Sequence, residues 1–373
     1  MNRSSSKILI CALVPYPVDT APCQRFRIEQ WAPYLEEQGI FVKMAPFADR
    51  RLAQLLYRPG HSAAKAVRMA ACFARRLIDI ASLRRYDAVL IHRAASMVGP
   101  ALIERIAAKL GRPIIFDFDD AIFKLHTTMA NRHLGWLKFP GKTATICRLS
   151  QHVIVGNAYL ADYARQHNPN VTIIPTSVDT ERYRPANKVQ SNGRLVVGWM
   201  GSSTSQTHLE MFAPMLGQMV ERFGVEIRVI SDRQPALPGV PHVWKRWSPE
   251  TEVEDLAEFD IGIMPMPDNE WARGKCALKA LQYMAMGIPA LCSAVGTNCE
   301  VISHGKDGLL ASSPEEFLEH LGRLIKEPGL RKKLGAAARR TVQERYSMRR
   351  CAGLFAQVAR QVIRCYQRNC KNS

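Results

Sequence analysis

Two lysines and a glutamine stand at i, i+4 and i+7 in the stretch Arg273-Gly-Lys-Cys-Ala-Leu-Lys-Ala-Leu-Gln282. Read as one helix, Lys275, Lys279 and Gln282 share a polar face, while Ala277, Leu278, Leu281, Met284 and Ala285 are buried opposite. Like charges four residues apart destabilise a helix, and lysines are unfavourable near its positive end. Arg273 and Lys275 at a helix start therefore want an anion, which free backbone N–H groups would help to hold. A solvated basic turn is the alternative.

A second group of candidates lies earlier in the chain. Phe116-Asp-Phe-Asp-Asp120 closes an apolar run, and three carboxylates there serve no packing purpose and are costly to bury. They suit either a magnesium ion beside phosphates or local backbone caps. Arg25 and Arg27 follow the first apolar run and suit an acceptor phosphate or carboxylate. His92 and Arg93 close a further run.

These residues need a scaffold, and the apolar pattern supplies one. Short buried runs at Lys7–Val14, Ile40–Pro46, Tyr86–His92, Pro113–Asp119, His152–Gly156 and Val171–Pro175 predict strands. Helical stretches at Gln24–Gln38, Arg50–Arg85, Gly99–Leu110 and Asn157–Gln166 separate them, which implies a parallel sheet covered on both faces. A polar connection rich in Pro, Asn and Gly interrupts the pattern near 187–194, and strands resume at Arg194–Gly201, Glu226–Asp232, Asp260–Pro265 and Ile288–Val295. The expected architecture is α/β, with two Rossmann-like doubly wound domains facing across a cleft: 1–186, a linker at 187–194, 195–346, and a closing helix with tail at 347–373. Ligands in such sheets sit beyond the carboxyl ends of the strands.

The run Ile8–Val14 ends at Pro15 and reads as a first strand rather than a signal peptide, and no apolar run is long enough to span a bilayer. Lys and Arg number 51 against 33 Asp and Glu, a net charge of +18. Between Arg323 and Ser373 there are 14 basic and 2 acidic residues; between Arg50 and Arg85 there are 9 basic residues and the single Asp79. Such fields attract polyanions. No zinc-finger spacing or RNA-binding aromatic signature accompanies them, so no nucleic-acid partner is expected. An anionic membrane surface fits better, with Leu52, Leu55, Leu56, Val67, Met69 and Phe73 available to dip in. The ten cysteines are scattered without C-x-x-C spacing, which suggests a reducing compartment. The expected location is the cytoplasm, with peripheral attachment at the inner membrane face.

The pattern Leu281-Gln-Tyr-Met-Ala-Met-Gly-Ile-Pro289, then Val295-Gly-Thr-Asn-Cys-Glu300 and Asp307-Gly-Leu-Leu310, resembles the donor-binding signature of family 4 (group 1) glycosyltransferases of the GT-B fold. Val197-Gly-Trp-Met-Gly-Ser-Ser-Thr204 is similar to the first strand and loop of that family's second domain, and Ile173-Ile-Pro-Thr-Ser-Val-Asp179 to the end of its first. The resemblance implies a nucleoside diphosphate sugar, of unknown base, as co-substrate, with no cofactor and no metal. The family's two sugar- and ribose-binding glutamates fall on Gly274 and Gln282, neither of which is Glu. Gln282 retains an amide for a ribose hydroxyl, while Lys275 or the preceding Asp268-Asn-Glu270 would take over contacts to the sugar beside Gly274 and Cys276.

The basic pair that usually grips the diphosphate is replaced after Gly201 by Ser202, Ser203, Thr204 and Ser205, with Lys275 and Lys279 supplying charge. The nucleobase is expected at His242-Val-Trp-Lys-Arg-Trp247, against Arg246 or Trp247. Asp119 takes the place of the residue that touches the transferred sugar, and Asp120 caps the next segment. The implied activity is transfer of a hexose-type sugar to a glycan or lipid-linked acceptor, with retention, in cell-surface polysaccharide assembly, Lys275 steadying the departing phosphate. A nucleotide-sugar 2-epimerase and a non-catalytic nucleotide-sugar-binding partner are the alternatives.

Overall fold

A computed structural model describes residues 7–56, 60–125, 137–186 and 193–372. The chain divides into one unit of Met1–Thr176 with Met348–Ser373 and another of Ser177–Ser347.

Six strands form the sheet of the first unit: β1 (Ile8–Val14), β2 (Ile40–Pro46), β3 (Ala88–His92), β4 (Ile114–Phe118), β5 (His152–Val155) and β6 (Val171–Ile173). All pair in parallel, in the order β2-β1-β3-β4-β5-β6. Every residue of β3 and β4 is buried. Helices on both faces leave no wet side, so these strands appear in the sequence as unbroken apolar runs rather than alternations. The strand order reverses at β1, which lies between β2 and β3. A ligand crevice is therefore expected beyond Val14 and His92.

The second unit repeats the plan with β7 (Val196–Met200), β8 (Glu226–Ser231), β9 (His242–Arg246), β10 (Ile261–Met264), β11 (Ala290–Ser293) and β12 (Leu309–Ala311). The order is β12-β11-β10-β7-β8-β9, again all parallel. Its core joins Val197 and Trp199 of β7 to Ile227, Ile263, Leu291 and the helix residues Leu216 and Leu321. Here the order reverses between β7 and β10, which points to the loops after Met200 and Met264.

The structure departs from the sequence reading in several places. The helix expected over Gln24–Gln38 is broken into Pro22–Gln24, a π-turn at Arg25–Glu29 and Ala32–Glu36. Pro33 has no N–H to donate one turn back, so a regular helix cannot run through it. The basic stretch forms the helices Arg50–Leu56 and Ser62–Ser82 and a 3-10 turn at Leu83–Arg85; residues 57–59 lie outside the described residues. Strand β9 occupies the stretch expected to meet the nucleobase, and neither it nor β12 is among the strands read from the apolar pattern. Among the described residues no helix is long and apolar enough to cross a membrane.

The unit boundary also falls earlier than 186. Residues after Ser177 belong with the second unit because Tyr183 is fully buried there, and Arg339 donates to the carbonyls of Thr180, Tyr183 and Ala285. The expected linker at 187–194 lies outside the described residues up to 192. The terminal helix Met348–Asn372 belongs to the first unit: Phe355 packs on Trp31 at 5.9 Å between ring centroids, and Arg360 donates to the Gln38 carbonyl.

Candidate functional site

In the second unit the candidate residues gather beyond the carboxyl end of β7, at the reversal of strand order. The helix Leu278–Ala285 carries Lys279 against Gly201, which follows β7. A Cβ at position 201 would lie 2.6 Å from Lys279 Cε, 2.6 Å from the Trp199 ring and 2.8 Å from Ser205 Oγ, so only glycine allows this approach. Lys279 Nζ sits 5.3 Å from the Trp199 ring centroid. No carboxylate pairs with it among the described residues. Burial, then the neighbouring Lys275 charge, pushes the Lys279 ammonium down to about 7.

Lys275 does not share a helical face with Lys279. The Glu270–Arg273 helix ends in a turn through Gly274, Lys275 and Cys276, and Ala277 takes a left-handed φ of 52° before the next helix begins at Leu278. This break replaces the single helix read from the sequence. Lys275 Nζ instead lies 4.8 Å from the Trp271 ring centroid, and its charge still disfavours the charged form of Lys279. Arg273 faces away from an anion role, forking onto Asp268 at 2.7 and 2.9 Å. Gly296, in the loop after β11, has φ 53° and packs on the Arg273 backbone, where a Cβ would meet Cα at 2.9 Å. Gly274 and Cys276 are both buried in this turn.

The hydroxyl run after Gly201 opens the helix Ser203–Glu210. Ser202 Oγ and Thr204 Oγ1 pair at 2.8 Å. Ser203 is already committed: its N–H and hydroxyl both donate to Asp232, at 2.5 and 2.8 Å. Ser203 therefore has no donor left for a phosphate, contrary to the sequence reading, and Asp232 is a member of this cluster that the sequence analysis misses.

Gln282 is buried, and its amide donates to Glu252 Oε1 at 3.1 Å and to the Tyr183 hydroxyl at 3.3 Å. Glu252 is itself 3% exposed and lies 3.7 Å from Arg182. A carboxylate thus stands beside the position where the resemblance expects a glutamate, contributed by the segment after β9. Nothing in the sequence spacing of 252 and 282 signals this. Arg246 is exposed at the end of β9, and Trp247 N–H donates to the Ser231 carbonyl at 3.0 Å.

In the first unit, the run Phe116–Asp120 splits into two environments. Asp117, still on β4, accepts a fork from Arg27, with Nη2 at 2.5 Å and Nε at 3.0 and 3.1 Å, and its other contact is His92 Nδ1 at 2.7 Å. Burial alone would raise this carboxyl, but Arg27 and His92 outweigh it and hold it well below the usual carboxylate range. Arg27 is fully buried and also donates to the Ile174 carbonyl at 2.8 Å. The π-turn tucks its guanidinium under the sheet end, so Arg27 is a structural cation and not an acceptor contact. Arg25 is 6% exposed, with its guanidinium 5.2 Å from the Phe26 ring centroid.

Asp119 and Asp120 lie just past the strand and answer Arg93, which follows β3. Arg93 reaches Asp119 at 2.7 Å and Asp120 at 3.5 Å, from a backbone held at φ 59°. A left-handed φ at a non-glycine residue is uncommon and is met with at functional sites. Asp120 also accepts from the Ala121 N–H at 3.2 Å, the local cap expected of it. Cys23 borders the cluster; burial pushes its thiol up to about 12, against the pull of Arg93. The cluster sits beyond β1, β3 and β4, where the reversal of strand order in this sheet places a ligand crevice.

Residues 194–327 match the model for glycosyl transferases group 1, and residues 27–182 match that for glycosyltransferase family 4. D-inositol 3-phosphate glycosyltransferase of Frankia alni is 24% identical over 238 residues, covering 56% of this chain and 56% of that one. Its counterpart from Streptomyces bingchenggensis is 28% identical over 127 residues, covering 33% of this chain and 27% of that one. The chain thus spans about half, or less, of the length of the curated relatives it matches. Among solved structures, sucrose-phosphate synthase from Thermosynechococcus elongatus superimposes with a TM-score of 0.71 at 14% identity, covering 96% of this chain and 100% of that one. HepE from Anabaena, in complex with UDP-glucose, gives 0.66 at 13%, covering 95% and 100%.

Proposed function

The chain belongs to the group 1, family 4 glycosyltransferases of the GT-B fold, and on that premise we propose that it moves a hexose-type sugar from a nucleoside diphosphate sugar to a glycan or lipid-linked acceptor. The observation that carries this reading is Lys279: a partly buried ammonium, stacked on Trp199 and unpaired by any carboxylate among the described residues, at the strand end where a doubly wound sheet binds its ligand.

In this reading Lys279 and Lys275 hold the diphosphate, with Gly201, Ser202 and Thr204 around it at the start of the Ser203–Glu210 helix. Gly274 and Cys276 line the turn beside the sugar, Gln282 with Glu252 takes the ribose, and Arg246 takes the base. In the first unit Asp119, Asp120 and Arg25 are assigned to sugar and acceptor hydroxyls, with Arg93 keeping both carboxylates in place.

Transfer makes a bond from the acceptor oxygen to the anomeric carbon and breaks that carbon's bond to the phosphate oxygen. The acceptor proton passes to the departing diphosphate, on the same face, so configuration is retained. Negative charge grows on the leaving phosphate, and pre-placed cations stabilise that charge more than they stabilise the bound donor. The likeness to HepE, which is solved in complex with UDP-glucose, supports a nucleotide-sugar donor. A lipid-linked acceptor in polysaccharide assembly is the pathway that the basic surface favours.

The test is a thermal-shift panel of UDP-, GDP-, ADP- and dTDP-sugars, followed by release of free nucleotide in the presence of lipid-linked sugars. One nucleotide class is expected to raise the unfolding temperature, because a ligand that binds only the folded chain stabilises it. The same donor is then expected to turn over only when acceptor is added. No shift with any donor contradicts the proposal, and a shift without turnover turns it towards a binding protein.

A further inference from the structure

The helix Ser62–Ser82 packs inward through Cys72, Arg76 and Ile80. Leu52 is buried and Leu56, Met69 and Phe73 pack on the small cluster of Phe47, Ala48, Leu52 and Cys72, so those residues, expected to dip into a membrane, are core instead. Towards its carboxyl end the helix leaves space between itself and the sheet. The sheet edge there is β2, whose Lys43 stands opposite Cys11 of β1, with Ala45 two residues on and pointing to the same face. Arg75, Asp79 and Ser82 recur on the helix at i, i+4 and i+7, and so share one side of it. With Tyr86 these walls bound a cavity of about 510 Å³, a volume in the range of small-molecule sites. Asp49 and Arg50 after β2, and Pro17 and Val18 after β1, complete the other end. Of the described residues, Arg25, Arg93, Asp119 and Asp120 take no part in the lining.

The charges in this wall do not balance. Asp79 is already met by Arg76 at 3.2 Å and Asp49 by Arg68 at 3.8 Å, and neither arginine lines the cavity. Arg75 donates to the carbonyls of Pro46 and Phe47 at 3.0 and 2.6 Å, contacts that use its donors and leave its charge unmatched. Lys43 and Arg50 are exposed, and among the described residues no carboxylate pairs with either. The floor adds no negative charge, because burial above all pushes the Cys11 thiol up to about 12. Hydroxyls stand at the opposite end from Arg50. Ser82 Oγ donates to the Asp79 carbonyl at 2.7 Å, and its oxygen can still accept. The Tyr86 hydroxyl has no partner among the described residues. Partial burial, then Cys11 and Asp79, raise its pKa, so it is a donor at neutral pH.

We propose that this cavity binds a small phosphorylated polyol of the hexose phosphate class, its phosphate facing Lys43, Arg50 and Arg75 and its hydroxyls meeting Ser82, Tyr86 and Asp79. A phosphate answers the unmatched cations through charge-assisted hydrogen bonds. A bare sugar leaves those cations as they are, and inorganic phosphate leaves the hydroxyl end unfilled. Pro17, Val18 and Pro46 add apolar surface for the face of a sugar ring. The ligand is an effector and is not consumed by transfer, so the proposal stands apart from the donor assignment.

Titration calorimetry of the full chain with glucose 6-phosphate, mannose 6-phosphate, the free hexoses and inorganic phosphate tests it. At least one hexose phosphate is expected to bind about tenfold or more tightly than inorganic phosphate or its own free hexose, and to weaken as salt rises. The Lys43→Met/Arg50→Gln double variant is expected to lose about tenfold or more in affinity for it. Tyr86→Phe is expected to lose severalfold. Because Lys43 and Arg50 are exposed, the unfolding temperature without ligand stays at the wild-type level. Lys279→Met is expected to bind the hexose phosphate as the wild type does, and saturating nucleotide sugar not to displace it, which separates this site from the donor site. No binding, equal affinity for inorganic phosphate, or wild-type affinity in the double variant overturns the proposal. So does loss of binding in Lys279→Met, displacement by the nucleotide sugar, or glycosylation of the hexose phosphate itself, each of which places the ligand at the transfer site.

Discussion

Replacing Lys279 with methionine is expected to lower sugar transfer by about a hundredfold to a thousandfold, the scale found when one pre-placed electrostatic group is removed from a reacting oxyanion. Methionine keeps a flexible apolar stem against Trp199 and beside Gly201, so the loss reports the charge and not a cavity. The fall should appear mainly in kcat, because the leaving phosphate carries more charge in the transition state than in the bound donor. Folding should respond in the opposite sense. A lysine pushed down to about 7 from its usual 10.5 binds fewer protons folded than unfolded between those values. Ligand-free stability therefore rises with pH across that window in the wild type, and Lys279→Met loses that slope. Initial rates across a donor series, with unfolding curves at neutral and alkaline pH, check both halves. A variant that transfers normally removes Lys279 from the site.

Arg27→Met is expected to cost about 3–5 kcal/mol of stability, because it strands the buried Asp117 carboxylate. Asp117→Asn should cost somewhat less, since the amide still accepts from Arg27 while leaving its charge unmatched. Combining Arg27→Met with Asp117→Leu should recover much of the loss, as apolar groups of similar volume need no partner. Urea unfolding of the wild type, Arg27→Met, Asp117→Leu and their double variant as a double-mutant cycle measures the coupling. Additive losses would mean that the pair is not a unit. The acid limb gives a second readout. Because Asp117 is held below the ordinary carboxylate range, its contribution is complete above that range and disappears as falling pH protonates it.

Strand positions were legible because fully buried parallel strands need apolar residues on both faces, and β3, β4 and β10 show that directly. Strand β9 was not, because it is the edge of its sheet and carries His242, Lys245 and Arg246 in a half-exposed pattern. Charged edge strands resist further pairing and read as loops. The anion site was legible in its residues and not in its geometry. Periodicity assigned Lys275 and Lys279 to one helix, and the left-handed φ of Ala277 that separates them has no signature in residue type. Residue type also could not tell Arg27 from Arg25, or Asp117 from Asp119. Each pair is chemically identical, and what differs is the partner the fold supplies: Arg27 and Asp117 meet each other, while Asp119 meets Arg93 and Arg25 lies against Phe26. Glu252 beside Gln282 and Asp232 beside Ser203 depend on loops from distant strands meeting at one sheet end. That is a property of topology and not of spacing.

The most direct test of the donor site is calorimetric titration of the intact nucleotide sugar chosen by the thermal-shift panel, in two buffers of different ionisation enthalpy. The diphosphate of a nucleotide sugar has no group that titrates near neutrality, so proton exchange on binding reports the protein. An anion laid against Lys279 raises its pKa from about 7. Binding is then expected to take up a proton at and just above that pH, and affinity to fall as pH rises further. Lys279→Met should show weaker binding, no uptake and a flat profile. Equal affinity and equal proton exchange in the two proteins would place the diphosphate elsewhere and contradict the assignment of this site.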